Sequence, residues 1–97
     1  MTRTAGQIRT AMEADGYTDP PAIGDQWEDL TRTGLPDGHR EVVTITDLWK
    51  LTDVGWSAVV TRREVDDMGN DVPSGAGPGV VLVKRLLAEF RRVEGGA

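Results

Sequence analysis

Cysteine is absent from this 97-residue chain. Its absence removes a disulfide framework, a thiolate zinc site, an iron–sulfur cluster and thiol catalysis together. Histidine occurs once, as His39, and serine only as Ser57 and Ser74. Neither serine stands in a Gly-x-Ser-x-Gly setting, so nothing prefigures a Ser-His-Asp triad. One imidazole without thiolates is also too little for a transition metal. Large apolar runs are missing too. The longest purely aliphatic stretch is Val80-Val81-Leu82-Val83, whereas a membrane-spanning helix needs about 20 apolar residues. The first residues, Met1 to Arg9, hold no apolar segment of the kind that an export signal carries. The expectation is a soluble, cytoplasmic, non-catalytic protein with no metal and no cofactor.

What remains is enough for a small core. Leu, Ile, Val and Phe make up about 23% of the chain, just above the ~20% below which chains stay disordered. The length fits one domain. Charge is acidic overall, with 11 basic against 16 acidic residues and a net charge of −5. A general nucleic-acid binder would show the opposite balance, because phosphate neutralisation drives such binding. The local exception is Lys84 to Arg92, with Lys84, Arg85, Arg91 and Arg92 against Glu89.

Along the chain, Thr4 with Gln7 three residues later predicts a helix N-terminus of the capping-box type. Ile8 and Met12 give that helix one narrow apolar stripe, and Gly16 is placed to end it. Two anchors cannot hold a helix alone, so it must dock on the rest of the chain or on a second copy. Pro20 and Pro21 then predict an extended spacer. A first short strand is expected around Trp27, and Pro36-Asp37-Gly38 reads as a turn. Val42 to Thr46 is rich in β-branched residues with Val43 and Ile45 on one face, and Trp56, Ala58 and Val60 repeat the alternation. The stretch 47–53 reads as the connection between these two strands. Residues 66–79, with four Gly and two Pro, predict a flexible loop.

The last part admits two readings. Val83, Leu86, Leu87, Phe90 and Val93 make a helical stripe, giving an α+β chain with a C-terminal helix over residues 82–94. Alternatively, strand 80–84, a tight turn through Arg85 to Ala88 and strand 89–94 fit the β propensity of the aliphatic run. Periodicity does not separate them.

The series Gly24-x-x-Trp27-x-Asp29, Arg40-x-x-Val43-x-Ile45, Ala58-x-Val60, Val81-x-Val83-x-Arg85-Leu86 and Phe90-Arg91-x-Val93 resembles a family of small uncharacterised proteins of actinobacteria and their mobile elements. The likeness covers about residues 22–94. It implies a mainly β fold: a small five-stranded SH3-like barrel with an N-terminal α-helix, a single 3₁₀ turn separating the last two strands. Residues 1–21 would then be the helix and spacer, and 22–97 the barrel. The 66–79 loop departs from the family pattern, and the family brings no activity with it.

Three further clusters have plain structural readings. Asp66, Asp67, Asn70 and Asp71 surround Gly69 without the distal Glu of a calcium loop, as a turn would. Gly75 to Gly79 lacks the Lys-Ser/Thr and the helix that a phosphate loop needs. The carboxylate pairs Glu28/Asp29 and Asp66/Asp67 belong to a chain too small for a glycosidase-like cleft. Trp49 is the residue that could carry function. It either plugs one end of the barrel with Leu48 and Leu51, or forms a partner-binding patch with Lys50, Arg62 and Arg63. The leading functional reading is a non-catalytic module that binds a protein partner, with self-association as a further option. The alternatives are a phage- or plasmid-type inhibitor of a host nucleic-acid enzyme acting through an acidic surface, and a weak nucleic-acid-binding barrel using Arg62, Arg63, Lys84, Arg85, Arg91 and Arg92.

Overall fold

Thr4 opens the first helix as its sequence context predicts. In the computed structural model, which describes residues 4–73 and 77–93, its hydroxyl accepts from the Gln7 N–H at 3.2 Å. The Gln7 side chain accepts from the Thr4 N–H at 2.8 Å. Helix α1 (Ala5–Ala14) ends at Asp15 and Gly16, the latter at φ 98°. The N–H groups of Gly16 and Tyr17 reach back to the carbonyls of Glu13 and Met12. This Schellman closure depends on a left-handed residue, hence glycine.

The strands are β1 (Gln26–Asp29), β2 (Arg40–Leu51), β3 (Gly55–Val65), β4 (Asp71–Val72), β5 (Gly79–Leu82) and β6 (Phe90–Arg92), with a second helix, α2 (Val83–Glu89), between the last two. All pairings are antiparallel. They build one curled sheet in the order β4-β3-β2-β1-β6, with β5 also on β3. The chain is thus mainly β, but with six strands instead of five. The additional one, β4, comes from the stretch expected to be a loop throughout: Asp71 and Val72 pair with Val65 and Glu64. The Asp66 carboxylate makes that return possible by accepting the N–H groups of Met68 and Asn70, each at 2.9 Å. Ser74, Gly75, Ala76, Glu94 and Gly95 lie outside the described residues.

Neither C-terminal reading is realised in full. The chain leaves β5 at Leu82 and enters α2 without a side-chain cap. The helix has 7 residues, longer than one tight turn and far shorter than 82–94. Val83 and Leu86, three apart, bury one face, and Arg85 pairs with Glu89 along the exposed side at 2.5 Å. It stops at Phe90 because that residue is paired opposite Asp29. A non-local pairing therefore sets the boundary.

The core fills the concave side of the sheet. Trp27, Val43, Ile45, Leu48, Trp56, Ala58, Val60, Val81, Leu86 and Phe90 form one buried cluster that also takes in Ile8 and Met12 of α1. Met12 has no exposed surface, and Pro20 and Pro21, expected as a spacer, are fully buried as well. The connection from helix to sheet is thus anchored at Pro20 and Pro21, with Thr18, Asp19, Ile23 and Gly24 exposed on either side.

Candidate interaction surface

Strand β2 runs for 12 residues and includes most of the stretch expected to be a connection. Its register against β3 shifts between Ile45, opposite Val60, and Asp47, opposite Val59. Thr46 is the extra residue of a β-bulge, and a bulge re-aims every side chain after it. Unbroken alternation from Val43 and Ile45 would send Trp49 into the core. The bulge sends Leu48 in, opposite Ala58, and turns Trp49 out, opposite Ser57.

Trp49 is 54% exposed, and its indole N–H donates to the Asp47 carboxylate at 2.5 Å. The ring is therefore fixed on the convex face instead of plugging the barrel. Across β3 the same row continues: Ser57 is opposite Leu82 of β5, and the next row is Asp47, Val59 and Val80. Leu82 and Val80 are exposed, as is Leu51 beyond Trp49. Side chains directly opposite in neighbouring strands lie about 5 Å apart at Cβ, so Trp49 and Leu82 flank Ser57 on one face, with Val59 and Val80 in the next row. Ser57 is 3% exposed, and its hydroxyl has no hydrogen-bond partner.

The other residues singled out from the sequence are elsewhere. Lys50 points to the opposite face, where its Nζ donates to Asp15 at 2.8 Å. Arg62 and Arg63 sit opposite Val43 and Val42, roughly 17 Å along β3 from Ser57 at ~3.4 Å per residue. Arg63 donates to Asp71 at 2.7 Å and to Gln26 at 3.2 Å, and Arg62 lies over Gly79. The structure does not bring Trp49 together with these arginines.

The convex face at that far end is ionic. Glu28 accepts from Arg91 at 2.7 Å and lies 3.6 Å from Arg40, above the buried Val42 and Val65. On the core side of the sheet, Arg92 stacks on Trp27 with its guanidinium 4.9 Å from the ring centre and pairs with Asp19 at 2.6 Å. His39 donates from Nδ1 to Glu64 at 2.5 Å. Ser57 is seven positions along β3 from Glu64, roughly 24 Å at strand spacing, so His39 and Ser57 are not neighbours. Among the described residues no group of three or more His, Cys, Asp or Glu side chains could hold a metal ion. No helix of the described residues is long and apolar enough to cross a membrane.

The part of this surface that sequence reasoning missed is β5. The exposure of Val80 and Leu82 beside Trp49 follows from the β3–β5 register, which no local pattern carries. Comparison of the chain with family models, with curated proteins and with solved structures returned no match.

Proposed function

We propose that this chain is a non-catalytic interaction module, built on a small SH3-like barrel, that binds a protein partner through the convex face centred on Trp49. One observation carries the reading: a half-exposed indole, tethered by Asp47, stands on the same sheet face as the exposed Leu82 and Val80. Tryptophan is among the residue types most enriched at binding hot spots, and a fixed ring loses little entropy on contact. An apolar patch rimmed by polar groups is the usual mark of an interaction surface.

The two nucleic-acid readings draw less support. Of the six basic residues a nucleic-acid surface would use, Arg63, Arg85, Arg91 and Arg92 are engaged by carboxylates. A phosphate-mimicking acidic face is similarly undercut, since Asp15, Asp19, Glu28, Asp71 and Glu89 are held by basic side chains.

The test compares the parent chain with Trp49→Ala, both immobilised, for proteins retained from a cell lysate, with circular dichroism and melting recorded for each. The reading expects a protein held by the parent and lost by a variant that remains folded. Identical retention by both chains overturns it.

A further inference from the structure

Strand β5 is hydrogen-bonded to β3 along one edge, and its other edge pairs with no strand among the described residues. Proteins ordinarily guard such edges with charge, proline, a bulge or extreme shortness. The other two edges of this sheet are guarded in those ways. Strand β4 is two residues long, begins with Asp71 and is followed by Pro73, and β6 carries Arg91 and Arg92. Strand β5, Gly79-Val80-Val81-Leu82, has no charge and no bulge of its own; Pro78 precedes it and the Arg62 guanidinium lies over Gly79, so these guard only its first residue and leave Val80 to Leu82 bare. It also contributes to the exposed apolar face, with Val80 62% and Leu82 38% exposed.

We propose that the open edge of β5 receives an extended segment of another protein, added to the sheet as a further strand. Apolar side chains at alternate positions of that segment lie against Val80 and Leu82, and a long one reaches across Leu82 towards Trp49, which stands roughly 14 Å away on β2 at ~4.8 Å per strand. The inference rests on the Trp49 face being the binding surface and adds what occupies it. Main-chain N–H and C=O groups along the edge supply the affinity, and the patch on one face supplies the selection of alternate side chains.

Area and charge favour a peptide segment over a second copy of the chain. The exposed parts of Trp49, Leu51, Val80 and Leu82 amount to roughly 400 Å², the size of a functional patch on a monomer. Two such patches together fall short of the ~1,200 Å² that stable complexes bury. A net charge of −5 also sets one copy against another. Around the patch the charge is mixed, since Asp47 shares the row of Val59 and Val80. Lys84, two residues beyond the edge, is exposed and makes no ion pair among the described residues, and β5 has no acidic residue. The occupant is thus a strand with alternating apolar residues and a carboxylate near the end that passes Lys84.

The test selects binders to the full chain from a library of random short peptides displayed on phage. A selected peptide is then made with N-methyl groups on one or the other alternate set of its backbone amides. The proposal expects period-two apolar sequences. It expects the amide signals of residues 79–82 and the Trp49 indole signal to shift on titration. It also expects a loss of about tenfold or more in affinity when one alternate set is methylated but little loss with the other. If the Trp49 indole shifts while the β5 amides do not, or if helical or proline-rich binders emerge, strand addition is overturned and the module reading stands. If no binder depends on Trp49, both fall. If the β5 amides become protected only as the chain dimerises with concentration, the occupant is a second copy and the proposal is overturned.

Discussion

The Trp56 indole N–H donates to the Asp15 carboxylate across 2.8 Å, and Lys50 reaches the same oxygen at 2.8 Å. One side chain at the end of α1 thereby fastens that helix to both β2 and β3. The donated bonds from Lys50, and then Trp56, hold the Asp15 carboxyl below its ordinary value of 3.8.

An acid dependence follows with a definite sign. A carboxyl whose pKa is lowered by folding stabilises the fold fully above its ordinary value, and that contribution disappears as pH falls through the lowered one. Asp66, lowered chiefly by the Asn70 backbone N–H, acts in the same direction at the β3–β4 turn. Stability should therefore fall as pH drops below about 4. Urea titrations across that range should show a shallower acid decline for Asp15→Asn than for the parent. Equal slopes would mean that the Asp15 bonds contribute nothing.

Helix α1 should prove inseparable from the core. Met12→Ala empties a site with no exposed surface, at a cost of about 2–5 kcal/mol. A chain beginning at Ala22 loses Ile8, Met12, Pro20 and Pro21 together and should melt well below the parent. A truncated chain with the parent melting temperature would show that these contacts are dispensable.

The two tryptophans of the β2–β3 ladder should behave as opposites. Trp49→Ala removes a half-exposed ring and should cost under about 1.5 kcal/mol, in the range of a surface change. Trp56→Ala removes a ring that is 3% exposed and should cost about 3–5 kcal/mol. Denaturant midpoints of the two variants decide this. Near-equal costs would place Trp49 in the core.

Calcium should have no effect on melting. Asp66 Oδ1 accepts from the Met68 and Asn70 N–H groups, and among the described residues no three His, Cys, Asp or Glu side chains gather to hold an ion. A rise of several degrees on adding the ion would reveal a site, because a ligand that binds only the folded state stabilises it.

Much of the local chemistry was legible in the sequence. Thr4, Gln7 and Gly16 act on their own neighbours, so a capping pattern was sufficient to place both ends of α1. Val43, Ile45, Trp56, Ala58 and Val60 alternate as strand residues facing a core do. The bulge at Thr46 left no comparable mark, and Trp49 could be singled out without its direction being known. The end of α2 was hidden for a related reason: it is fixed by Asp29, far along the chain. Strand β4 is a local return through the Asp66 turn, inside a stretch whose Gly and Pro content reads as loop. Arg62 and Arg63 were grouped with Trp49 by their type, and strand length carries them away from it.

The position of β1 between β2 and β6 bears on when this chain can fold during its synthesis. Glu28 meets Arg91 across 63 residues of sequence, and the Val93 N–H bonds the Gln26 carbonyl in the same seam. A ribosome that has released only the first strands has made a hairpin of β2 and β3 with β1 beside it, one flank of Trp27 still bare. Closure waits for residues 90–92, and contacts so distant in sequence form slowly. Until then the nascent chain exposes its apolar face, which is the interval in which chaperones find such chains.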